Sequence, residues 1–208
     1  MDALVIRDGD VDTAVIAEFE RDRRHLLRRG IALGGAAIAA TSIPLLLKVR
    51  TAFAQADGDA GILESAVGVE QIAVFAYTAA IDSGLLEPDV EDVARLFRKH
   101  EQEHADGLIT ALRDLGGTAP PRPKSVEDVD EVVKGLGDVR SQADVANFAI
   151  ELETAGIAAY YDAHQKLQDA KLLQTGASIM ANEGQHLVVL RQTLGRPRVP
   201  NAFETGEK

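Results

Sequence analysis

The chain has 208 residues, no cysteine, no tryptophan and a net charge of −11 at pH 7. That length suits one domain with a proper core plus a short extra segment, and the missing thiols exclude disulfide frameworks, thiolate zinc sites and iron–sulfur clusters. Any metal must take nitrogen and oxygen ligands, and the acidity argues for cations and against nucleic acid, whose phosphates demand clustered Lys and Arg. Aromatic residues supply only 4% of a chain rich in Ala, Leu, Val, Glu and Asp. Such a composition suits amphipathic helices better than strands and predicts an all-α fold.

In chain order, the first predicted element is an export signal over residues 1–54. Arg23-Arg24 precedes the apolar run Ile31 to Leu47, which Gly34, Gly35 and Pro44 interrupt, and the small-residue site Ala52-Phe53-Ala54 follows. Basic region, modest apolar stretch and A-x-A site in that order are the grammar of a cleaved signal, and the twin arginine points to the Tat translocase as an export partner. The alternatives are an uncleaved anchor, for which the run is short of the roughly 20 residues that span a bilayer, and a buried core helix that happens to be preceded by arginines. Cleavage after Ala54 leaves residues 55–208 with 14 Lys and Arg against 26 Asp and Glu, hence a net charge of −12, so the acidity belongs to the folded domain. The expected location is periplasmic, extracellular or on the cell envelope.

Residues 55–208 predict four long helices. Over 60–83, Ile62, Val69, Ile72, Val74, Phe75 and Ile81 recur at spacings near three and four until Ser83-Gly84 ends the run. Pro88 suits the first turn of a second helix over 88–115, Asp89, Glu91 and Asp92 complement its dipole, and Gly116-Gly117 stops it. Residues 116–140, with repeated Pro and Gly, predict an irregular connection holding no more than a short helical turn. Ser141 can cap a third helix over 141–167, and a fourth follows over 170–194 before a Pro-containing tail. Short links within each pair and a long link between pairs predict a four-helix bundle, two antiparallel hairpins joined by a long crossover.

The second helix carries Glu101 and His104, the fourth Glu183 and His186, and these are the only two Glu-x-x-His matches in the chain. Positions three apart on a helix lie about 60° from one another, so carboxylate and imidazole project from one face and can hold one ion. A duplicated hairpin places equivalent residues at one constant offset. The offset is 82 for both motif residues, and 83 for Glu70 in the first helix and Glu153 in the third. Each of these two glutamates is followed seven residues later by a tyrosine, Tyr77 and Tyr160, and two turns of helix aim Glu and Tyr at the same interior. Burying four carboxylates without cations is costly, and two divalent ions remove the difficulty. Glu64, Glu103, His100, Asp162 and His164 fall outside the repeat and read as surface or outlying groups.

One Glu from each of two helices and a Glu-x-x-His from each of two others resembles the ferritin-like superfamily, over about residues 60–194. The resemblance implies Glu70 and Glu153 as terminal ligands, Glu101 and Glu183 as bridging ligands, and His104 and His186 as one nitrogen ligand per metal. It implies that Tyr77 and Tyr160, the candidate catalytic residues, orient carboxylates beside the metals. The cofactor it implies is a pair of divalent ions, di-iron or di-manganese, with zinc a further occupant that such ligands accept. Within the superfamily, the chain resembles Tat-exported proteins of the desiccation-related type, a likeness that includes Gly116-Gly117-Thr118-Ala119-Pro120 at the start of the crossover. Two functions are compatible with this resemblance. One is a metal-dependent oxidoreductase that oxidises iron or scavenges peroxide in oxidative stress, with O₂ or peroxide as partner and a homodimer among the assemblies allowed. The other is a non-catalytic stress protein that holds metal.

Overall fold

The computed structural model describes residues 55–206 together with Ile6, Arg7, Asp10, Val11, Thr51 and Phe53. Near the start, strands β1 (Ile6–Arg7) and β2 (Asp10–Val11) pair antiparallel, Ile6 against Val11 and Arg7 against Asp10. Arg23-Arg24, the apolar run, Ala52 and Ala54, on which the predicted export signal rests, lie outside the described residues. Phe53 is described: its side chain is fully buried, and its carbonyl accepts a hydrogen bond from Lys166 Nζ at 2.9 Å.

Helix α1 (Gly58–Asp82) is buried over much of its circumference, and small side chains at Ala66, Ala73, Ala76 and Ala80 let its neighbours approach closely. Helix α2 (Pro88–Asp114) has Pro88 at its first turn with Asp89 and Glu91 beside it, where a missing N–H and negative charge are both favourable. It ends in a turn that needs glycine twice. Gly116 has φ 79°, and a Cβ on Gly117 would lie 2.2 Å from Leu112 Cδ1.

The connection that follows corrects the predicted fold. Helix α3 (Val126–Val132) is built on a capping box in which the Ser125 hydroxyl accepts from Asp128 N–H and the Asp128 carboxylate accepts from Ser125 N–H. Next, Asp130 gathers the N–H groups of Gly135, Leu136 and Gly137 and so organises a 3-10 turn, Leu136–Asp138. Val129 and Val133 plug into the core from this segment, each burial contributing roughly 2 kcal/mol. The simple four-helix bundle, two hairpins with an irregular crossover, is therefore replaced by an all-α fold with five α-helices and a 3-10 turn among the described residues.

Helix α4 (Gln142–Ala163) starts where Ser141 accepts from Asp144 N–H, and helix α5 (Ala170–Thr193) where Asp169 accepts from the N–H groups of Lys171 and Leu172. Helix α1 packs along α2 and α4 along α5, while α1 also meets α4 and α2 meets α5. Between two apolar clusters, one around Val67, Leu108 and Leu152 and the other around Tyr77, Phe97 and Leu190, the interior holds charged groups.

Candidate metal centre

Each of the four long helices delivers part of one polar cluster. Glu70 comes from α1, Glu101 and His104 from α2, Glu153 from α4, and Glu183 and His186 from α5. Five of the six are at most 3% exposed, a degree of burial that ionisable groups reach only when paired or bound to a cation. His104 alone touches the outside, its side chain 13% exposed.

The ligand atoms fall into two overlapping sets. Atoms of Glu70, Glu101, His104 and Glu183 lie within 4.8 Å of one another, as do atoms of Glu101, Glu153, Glu183 and His186. Glu101 and Glu183 belong to both sets, which is the arrangement two bridging carboxylates require. His104 Nδ1 faces Glu183 at 3.2 Å and Glu70 at 3.5 Å, and His186 Nδ1 faces Glu101 at 3.1 Å and Glu153 at 3.4 Å. Despite these distances the groups are not aligned as hydrogen bonds. Glu101 Oε1, Glu183 Oε1 and both Nδ1 atoms are buried without a partner. Orphaned buried lone pairs converging on a common space fit divalent cations with N/O ligands.

The tyrosines bond across the repeat. Tyr77 on α1 donates to Glu153 on α4, and Tyr160 on α4 donates to Glu70 on α1. Burial first, and then the neighbouring carboxylates, push both phenols well above their ordinary range, so the hydroxyls stay protonated as donors.

Without cations the cluster balances its charge with protons. Burial pushes Glu70 up to about 8 and Glu183 well above the ordinary carboxylate range, with neighbouring carboxylates adding to the effect. Burial acts in the same direction on Glu101, but the imidazoles of His104 and His186 outweigh it and hold this group at about 2. For the histidines burial favours the neutral ring, yet the facing carboxylates prevail, raising His104 to about 10 and His186 to about 9.

His100, set aside by the repeat, reaches the centre after all: its Nδ1 lies 3.0 Å from His186 Nε2. Glu64 is exposed, and Glu103 pairs with Lys99 at the surface. His164 is spent on the carbonyls of Tyr160 and Leu173, and Asp162 belongs to neither ligand set. A separate apolar cavity of about 220 Å³ under the crossover reaches Tyr77 but none of the six ligands.

Residues 58–196 match the ferritin-like domain family. The chain belongs to that family. Among solved structures, this ferritin-like chain is similar to the crystal structure of a conserved hypothetical protein, rv2844, from Mycobacterium tuberculosis, with 22% identity and a TM-score of 0.57. That similarity covers 74% of this chain and 99% of the other and shows the shared fold. No curated protein matches. Family and ligand sets together carry the descriptions ferritin-like and metal-binding. The narrower descriptions are corrected: the five-helix fold displaces the four-helix bundle, and neither family nor fold assigns iron, export or a desiccation-related subtype.

Proposed function

We propose that this ferritin-like chain holds two divalent ions, iron or manganese, in a carboxylate-bridged centre and uses them to oxidise ferrous iron or to consume peroxide. The observation that carries the reading is the sharing of Glu101 and Glu183 between both ligand sets, with four unpartnered buried atoms aimed inward. A bound metal pair would supply Lewis acidity and redox equivalents. The chain's own contribution is positional. Glu70 with His104 and Glu153 with His186 would hold the outer sides of the pair, and the tyrosine hydroxyls fix the orientation of Glu70 and Glu153. The apolar clusters on either side keep bulk water from the carboxylates.

The test starts from metal content. Purified protein reconstituted with Fe²⁺ or Mn²⁺ should hold about two ions per chain, and fewer than about one would remove the site. Loaded wild type should then consume peroxide faster than Glu101→Ala. Equal rates would leave a metal-holding protein without turnover, the second function compatible with the sequence.

A further inference from the structure

The two ligand sets match in composition and differ in their surroundings. Behind His186 the Phe97 ring stacks with centroids 3.9 Å apart and 24° between planes. The His100 ring lies nearly parallel to His186, at 4° with centroids 5.3 Å apart, and its Nδ1 is 3.0 Å from His186 Nε2. Among the described residues no ring stacks on His104, and no side chain partners its outer nitrogen. Instead His104 lines an opening of about 400 Å³ between α2 and α5, together with Glu103, Gly107, Lys171, Thr175 and Ser178.

We infer that the two metal positions are inequivalent: His100 makes the His186 position the tight one, and the opening beside His104 makes the other the position that exchanges with solvent. The inference rests on the two-metal reading above. With Nδ1 of His186 turned to the carboxylates, a cation bound there leaves the ring proton on Nε2. His100 Nδ1 accepts the hydrogen bond from that N–H, a contact that fixes the ring plane before the ion arrives and suits the tautomer that binds it. Phe97 covers one face of the ring and restricts its rotation. His104 has neither support, so its position costs more ordering on binding and releases its ion more readily. His100 is thus a positioning residue acting through His186.

Co²⁺ is the probe, followed by its absorption in the full-length protein and counted by equilibrium dialysis. Wild type should show two classes of site with dissociation constants about tenfold or more apart. His100→Phe keeps a ring but no acceptor, and should weaken the tighter class by about ten- to a hundredfold while leaving the weaker one in place. His100→Gln, whose amide oxygen can accept the same bond, should restore most of the loss. A Cβ on exposed Gly107 meets nothing within 4 Å. Gly107→Trp should therefore fold, and should slow removal of the weaker ion by a chelator without changing stoichiometry. Two indistinguishable sites, equal weakening of both by His100→Phe, or no rescue by His100→Gln would overturn the inference. Fewer than one Co²⁺ per wild-type chain would remove the two-metal reading itself.

Discussion

Tyr77 and Tyr160 each serve the carboxylate of the other half of the repeat. A hydroxyl that only filled space could be removed at little cost to binding, whereas one that orients a ligand oxygen could not. Tyr77→Phe and Tyr160→Phe are each expected to weaken metal binding about ten- to a hundredfold with the helical content unchanged, measured by calorimetric titration and circular dichroism. Unaltered affinity in both variants would reduce the tyrosines to packing. That these tyrosines and the six candidate ligands share one interior was legible in the sequence, because a duplicated hairpin repeats equivalent positions at nearly one offset. His100 was not. Its counterpart at that offset is Asn182, and its partner His186 lies 86 residues away on another helix. The contact depends on how α2 faces α5, which a repeat along the chain does not encode.

At the level of elements, the long helices were readable from apolar spacing and stop signals, and the crossover was misread. Pro120, Pro121 and Pro123 together with Gly135 and Gly137 suggested an irregular connection. The local order instead comes from two aspartates that bond backbone N–H groups, Asp128 at the start of α3 and Asp130 at the 3-10 turn. Such bonds create structure where propensity is poor, and the burial of Val129 and Val133 then retains it. Ser125→Ala removes one half of the capping box and should cost about 1 kcal/mol. In a domain of this size that lowers the melting temperature by about 2–4 °C. A thermal scan showing no change would mean that α3 is held by its apolar contacts alone.

For the whole molecule, the buried cluster ties stability to pH and to metal. In the metal-free protein His104 and His186 sit at about 10 and about 9, above their ordinary 6.5. Their contribution is complete below pH 6.5 and is lost as pH rises through 9 and 10. Glu70, raised from 4.5 to about 8, works in the same direction: between those values the unfolded chain gives up the proton that the buried carboxyl keeps, so stability falls as pH rises from 4.5 to about 8. Glu101 has the opposite sign, its contribution being lost only as pH falls toward 2. Between pH 6 and 9 the first three groups, with Glu183 acting in the same direction, therefore decide, and the melting temperature of chelator-treated protein should fall steadily across that range. On the two-metal reading, divalent cations would displace the same protons and take the same side chains as ligands, so their affinity would rise as the protons leave. The increase in melting temperature produced by excess Mn²⁺ should consequently grow from pH 6 to pH 8.5, measured by differential scanning calorimetry with and without chelator. A metal-induced increase that is largest at pH 6 would mean that the two imidazoles and Glu70 are not ligands, because only groups that must lose a proton to bind give the dependence its sign.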